Sequence, residues 1–297
     1  MSTNLNRRRF LQNTGVGALG LVIPWQVFSA SLGLLYRNGV NPGEEFSLLK
    51  MEKILPDYKI PPCNNFTTDK FWLSYTLYNF YQELAMTAGT FEITKKDGPM
   101  PSYKVTCARK ATADFNIENA NYIGKYRGNY IFKGDIVTRN DLLASPVKWE
   151  CETKISDDVK GLPYLNTLHR WKGSFKIGQV NYHSVSQHII KKPANKDLTW
   201  KWGLINLVQK MAEQSVPEVH FSALDEMDMM YEHQYARFRK KQQIDCGTSN
   251  VEFSVFEVLG DGIIPTVYWV DNFCRVIFII SGVEAYVLSD NQEYQKQ

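Results

Sequence analysis

Hydrophobic and polar positions alternate along most of this chain, and the alternation has a period of two. It is clearest near the C-terminus. Val251, Phe253 and Val255 point one way, and Glu252 and Ser254 the other, which is the pattern of a half-buried strand. Asp261-Gly262 breaks the run. Thr266 to Val270 is β-branched and aromatic, and Asp271-Asn272 marks a hairpin. Val276 to Ile280 is apolar without interruption, as in a strand buried on both faces. Gly282 interrupts, and Val283 to Leu288 alternates again. The chain therefore closes with about four adjacent strands, antiparallel because their links are short.

The same period recurs upstream. Phe71 to Leu84 alternates and reads as strand. Thr90–Thr94 and Tyr103–Arg109 flank the turn signal Lys95-Lys96-Asp97-Gly98-Pro99 and predict a hairpin. Tyr122 to Thr138 carries glycines at 124, 128 and 134, which in a strand mark bends or bulges. Val147 to Ile155 alternates cleanly. Leu168 to Ile190 holds two more strands around Lys172-Gly173, and Tyr231 to Ile244 another. Ten to twelve strands are expected, without a fixed repeat.

One stretch has helical spacing. Over about 198–213, Leu204, Leu207, Val208 and Met211 share a face, with Asp197 as N-cap and Gly203 letting the helix approach the sheet. The expected fold is mainly β: a curved antiparallel sheet or partial β-barrel covered by that one long helix. The expected organisation is an export signal over 1–30, an irregular lead-in over 31–69 with a short helix near Glu44 to Ile54, one β-rich domain over 70–290, and a disordered tail over 291–297.

The first thirty residues have three arginines, no acid and a weakly apolar segment from Gly15 to Phe28. Arg7, Arg8, Phe10 and Leu11 match the twin-arginine export motif, with Arg9 between. Export by that route implies the twin-arginine translocation machinery as a partner and the periplasm or cell envelope as destination. Phe10 to Phe28 is short and broken by Pro24, so no transmembrane span is expected in the mature chain. Twin-arginine substrates cross folded, so folding precedes any oxidising compartment. The five cysteines are an odd number, without C-x-x-C or zinc-ligand spacing, and Cys107, Cys151 and Cys274 sit in apolar or alternating runs as small buried hydrophobes.

Charge narrows the partners. The formal charge is +3, and the three signal arginines account for it. The remainder is balanced, which argues against nucleic acid. Aromatics are abundant, with 16 Tyr, 16 Phe and 7 Trp. On a concave sheet they fit an apolar or sugar ligand, with Trp149, Trp171, Trp269, Tyr268 and Tyr286 as candidate contacts.

No catalytic constellation stands out. There is no G-x-S-x-G elbow and no phosphate-binding glycine loop. His183 and His188 fall on opposite faces of a strand, against a shared metal, and neither metal nor cofactor is expected. Asp225-Glu226-Met227-Asp228 reads as a solvated turn. Glu150 and Glu152 share a strand face at roughly 7 Å, a separation a glycoside hydrolase permits. The main reading is a non-enzymatic exported binding protein. The alternatives are an envelope glycan hydrolase and a structural or assembly component of the envelope.

The block Gly260-Asp261-Gly262-Ile263-Ile264-Pro265, with Tyr268-Trp269-Val270-Asp271, Arg275, Phe278, Ser281-Gly282 and Ala285-Tyr286-Val287-Leu288, resembles the C-terminal part of a group of exported bacterial proteins of unknown function. Pro146-Val147-Lys148-Trp149 is similar too, so the resemblance spans about 140–290. More distantly, the strand plan resembles the half-barrels of periplasmic lipoprotein carriers. That resemblance implies a concave apolar face for a lipid-like ligand.

Overall fold

The computed structural model describes residues 48, 50–81, 84–117, 122–157, 167–176, 178–184, 189–194, 196–227, 229–246, 249–261 and 263–289. Among them, fifteen strands form one sheet. The first five are β1 (Phe71–Tyr81), β2 (Leu84–Lys96), β3 (Ser102–Ile117), β4 (Tyr122–Thr138) and β5 (Pro146–Asp157). A smaller set follows: β6 (Thr167–Lys176), β7 (Gln179–Ser184), β8 (Ile189–Pro193) and β9 (Leu198–Trp200). After helix α1 (Gly203–Gln214) come β10 (Glu218–Asp225), β11 (Met229–Cys246), β12 (Ser249–Gly260), β13 (Thr266–Val270), β14 (Val276–Ser281) and β15 (Glu284–Leu288).

The order runs β8 down to β1, then β15 down to β9. Every neighbouring pair is antiparallel except β9 with β10. The sheet is open but coils like a barrel. Its β9 edge packs against β5, and Thr199 Oγ1 donates to Leu143 O at 2.6 Å.

One face of this coil is the interior. Tyr75, Phe91, Cys107, Phe132 and Thr153 lie opposite one another on five successive strands, and all are buried. Helix α1 fills the space in front of them. Leu204, Ile205, Asn206, Leu207, Val208, Gln209 and Met211 are all buried, so the helix is enclosed nearly all round rather than lying on a surface. Its Asn206 Oδ1 accepts from Lys95 Nζ at 2.8 Å, tying the plug to β2. Ser215, left-handed at φ 55°, ends the helix.

The four C-terminal strands form the expected meander. Their second face is covered as well. Trp269, Phe278 and Val287 share it, and the lead-in lies across it. A helical turn at 50–57 buries Met51 completely. The Tyr58 ring sits 5.1 Å from that of Phe278. Arg275 Nη1 donates to the Pro61 and Pro62 carbonyls at 2.9 and 3.1 Å. Double coverage is why Val276–Ile280 is uniformly apolar.

Several expectations need correction. The helix starts at Gly203, not near 198, and is one short element of 12 residues. Leu198, Thr199 and Trp200 are all buried and pair with β10 instead. Asp197 therefore caps nothing; its carbonyl accepts from Ser222 N. Gly203 does allow a close approach, but to Trp200: a Cβ there would lie 2.5 Å from the indole Nε1. Lys172-Gly173 is no turn. It lies inside β6, and Gly173 leaves room for the Trp149 ring, 2.1 Å from where a Cβ would fall. Lys95 also belongs to a strand, buried at 2 % exposure.

Candidate functional site

A cavity of about 350 Å³ opens between the start of α1 and strands β10 to β15. Its wall is aliphatic, from Leu224, Val258 and Ile279, and aromatic, from Trp202, Tyr268 and Tyr286. Each comes from the interior-facing phase of its strand: Val258 opposes Thr266, Tyr268 opposes Ile279, and Ile279 opposes Tyr286. Trp202 is fixed behind them, 4.1 Å from the Phe91 ring centroid and 5.4 Å from that of Tyr286. At the opening, Ile263 and Ile264 in the β12–β13 link continue the apolar wall outward, and Ile264 is 63 % exposed.

Several polar groups also line it, and most of them are paired, although the buried Trp202 Nε1 has no hydrogen-bond partner. Lys201 Nζ lies 2.9 Å from Asp225 Oδ1, both half-buried on the cavity wall. Burial works against the Lys201 charge, but Asp225, with Glu226 beside it, outweighs burial and holds the ammonium above the ordinary lysine value. Glu226 accepts from Tyr130 OH at 2.8 Å. The turn carrying these acids is held by two left-handed residues, Glu226 (φ 46°) and Met227 (φ 64°), and Met227 is buried. The expected solvated turn is thus a packed one, docked on β4.

On the opposite side, Arg109 Nη1 lies 2.6 Å from Glu284 Oε1, and Arg109 Nη2 donates to Tyr286 OH. Burial opposes the guanidinium charge, and Tyr286 and Glu284 overcome it. Burial also pushes the Tyr268 and Tyr286 phenols up, so both are neutral donors at physiological pH. Gln234 Nε2 donates to the Glu232 and Asp261 carbonyls at 2.8 and 3.2 Å and presents its amide on the wall. Thr266 Oγ1 donates to Ser281 Oγ at 2.9 Å.

Of the candidate ligand contacts, the structure brings Tyr268 and Tyr286 to this cavity. It places the three tryptophans elsewhere. Trp149 packs under Gly173 and beside Tyr182. Trp269 lies on the lead-in side, against Phe253. Trp171 is buried between Phe132 and the stacked His169 ring, next to a second, open groove of about 540 Å³. Glu150 and Glu152 line that groove, each in a cross-strand ion pair: Lys172 at 2.9 Å and Arg170 at 2.7 Å. Lys172 holds the Glu150 carboxyl below its usual range, the opposite of what a general acid needs. No group of three or more metal ligands occurs among the described residues. His188 and Arg7, Arg8, Phe10 and Leu11 lie outside the described residues.

Arg109, Lys201, Gln234 and Glu284 were not singled out from sequence, and Asp225 was read only as part of a solvated turn. One signal was available for two of them. Arg109 shares the parity of Val105 and Cys107, and Glu284 that of Tyr286 and Leu288, so each is an ionisable residue in the apolar phase of a strand.

No protein-family model matches the chain, and no curated protein matches it by sequence. Among solved structures it is similar to a β-barrel-like protein of a domain of unknown function (DUF1849) from Brucella abortus. The two share 9 % identity and a TM-score of 0.51, over 76 % of this chain and 98 % of the other. That likeness concerns the fold, a curved, barrel-like sheet. No helix among the described residues is long and apolar enough to cross a membrane.

Proposed function

We propose that this chain is an exported, non-enzymatic binding protein that holds an apolar or amphipathic ligand in the cavity beside α1. The observation that carries the reading is the wall. Aliphatic and buried aromatic side chains line a space within the usual size range of ligand sites, roughly 300–1,000 Å³, and most of the polar side chains on its wall are already paired. A sugar needs open aromatic faces and free hydrogen-bonding groups. Trp202 has its face against Phe91 instead, so a lipid-like ligand is favoured over a carbohydrate. The barrel-like neighbour is compatible with such a role. The twin-arginine pattern at Arg7-Arg8 supports export to the periplasm or envelope, where amphiphiles are abundant, and the resemblance to lipoprotein-carrier half-barrels points the same way.

The test is a titration with N-phenyl-1-naphthylamine, whose fluorescence rises in apolar surroundings. The expected result is saturable binding with a dissociation constant on the order of micromolar, weakened about tenfold or more by Ala223→Phe, which fills the cavity from β10. Circular dichroism confirms that the variant is folded. No saturable signal, or equal binding by a folded Ala223→Phe protein, contradicts the proposal.

A further inference from the structure

One donor on the wall of the cavity beside α1 is unmatched. Trp202 is 6 % exposed and lines that cavity, and its Nε1–H has no hydrogen-bond partner among the described residues. The indoles of Trp149, Trp171 and Trp200 are unpartnered as well, but none of those rings lines this cavity. An indole N–H can only donate, and a buried donor without an acceptor leaves its desolvation uncompensated. The start of α1 adds donors of its own. Trp202 is the N-cap of the helix, and no side chain caps it. The first backbone N–H groups of a helix have no acceptor within it, and Leu204, in that first turn, lines the same cavity.

Charge decides which acceptor fits. Tyrosines aside, the ionisable side chains on this wall among the described residues are Lys201, Asp225 and Glu284. Lys201 is held by Asp225 at 2.9 Å. Glu284 is held at 2.6 Å by Arg109, which lines a separate small pocket with it. A carboxylate or phosphate would enter with no free cation to meet it and two acids on the wall, so its desolvation would go uncompensated. An ammonium head offers nothing for an N–H to donate to. A carbonyl accepts a hydrogen bond without bringing a charge, and its burial is costly only while it is unpaired.

We infer that Trp202 Nε1–H donates to an uncharged carbonyl of the ligand, which makes the ligand an acyl ester or amide rather than a free fatty acid or an alkyl ammonium. The inference rests on the binding reading above and adds to it the linkage that the cavity reads.

The experiment displaces bound N-phenyl-1-naphthylamine with four amphiphiles that share a twelve-carbon chain, each below its aggregation concentration. They are monolaurin, an ester; dodecyl glyceryl ether, which lacks only the carbonyl; laurate; and dodecyltrimethylammonium. Monolaurin is expected to compete about fivefold better than each of the other three, a difference of the size that one hydrogen bond gives. Trp202→Phe removes the N–H and keeps a ring. In it the ester and the ether should compete within about twofold of each other, with circular dichroism as the control for folding. A second measurement needs no variant. Infrared spectra of monolaurin labelled with carbon-13 at the carbonyl should place the bound band at lower frequency than in alkane solution, as a hydrogen-bonded carbonyl absorbs. Four results overturn the inference and leave the binding reading intact: ester and ether competing equally, laurate or the ammonium matching the ester, an undiminished ester advantage in a folded Trp202→Phe protein, or a bound carbonyl band at its alkane frequency. A probe that never binds overturns both.

Discussion

At Arg275 one guanidinium joins the β13–β14 turn to the lead-in. It is paired with Asp271 at 2.8 Å, and the two side chains are 5 % and 4 % exposed. It also donates to the Pro61 and Pro62 carbonyls of the lead-in. Asp271 Oδ1 in turn accepts from the backbone N–H groups of Phe273 and Arg275, shaping the β13–β14 turn. Removing one partner of a buried, hydrogen-bonded pair leaves an uncompensated charge. Arg275→Met should therefore lower stability by about 3–5 kcal/mol in urea unfolding. A loss under about 1 kcal/mol would show that the lead-in is not anchored there. Gly173→Ala tests packing at the same scale, because its methyl group must displace the Trp149 ring. About 1–3 kcal/mol should be lost, and Trp149 fluorescence should shift with it.

Lys95 brings pH into the residue scale. Burial lowers its pKa from the ordinary lysine value to about 8, although it donates to Thr68 O at 2.7 Å and to Asn206. The unfolded chain holds this proton more tightly than the folded one. Stability should therefore rise with pH from about 8 toward the ordinary lysine value and lie flat, with the penalty fully present, below that window. Lys50 is lowered to about 8 by burial too and adds in the same direction. Buried tyrosines such as Tyr75, Tyr103 and Tyr268 have raised pKa values, so above about pH 10 stability should fall again as unfolded phenols ionise. Urea midpoints between pH 7 and 11 should trace that rise and fall. Lys95→Met should flatten the rise; an unchanged slope in a folded variant would contradict the assignment.

At the scale of elements, the lead-in and α1 cover opposite faces of the same four strands. Met51→Ala should cost about 2–5 kcal/mol if the lead-in turn is part of the core, measured by thermal or urea unfolding; a near-zero effect would detach it. These covers also explain what could be read from the chain. The C-terminal meander was legible because each strand is bounded by a turn signal, and Val276–Ile280 because both its faces are covered. The bounds of β4 match the stretch read from sequence, Tyr122 to Thr138. The start of α1 was not. Leu198, Thr199 and Trp200 are buried in a three-residue strand, too short to show a period of two, and they extend the helical pattern by coincidence. Gly173 misled for a related reason: it makes room for a ring rather than a turn, and only the facing strand shows this.

For the whole molecule, the sheet coils until β9 meets β5, and the plug helix leaves a cavity on one side. Curvature of this kind is set by register shifts, such as those between Leu77 and Tyr78, Phe238 and Lys240, and Trp269 and Val270, which periodicity does not reveal. The site was illegible for the same reason. Lys201, Asp225 and Glu284 come from separate stretches, are ordinary residue types, and reach one cavity only because β15 pairs with β1 and the chain turns back at β9. Tyr268 and Tyr286 were within reach of sequence because aromatic residues in an apolar phase mark an interior, but their cavity depends on where α1 begins.

The central claim is that this cavity holds an amphiphile. Native mass spectrometry of the protein isolated from its own source tests it most directly when repeated under denaturing conditions and with Ala223→Phe prepared in parallel. The account predicts an added mass of a few hundred daltons or more on the native protein, absent after denaturation and depleted in the variant. A native protein at its bare chain mass that also takes up no amphiphile added before ionisation, or a bound mass undiminished in a folded Ala223→Phe protein, would contradict it.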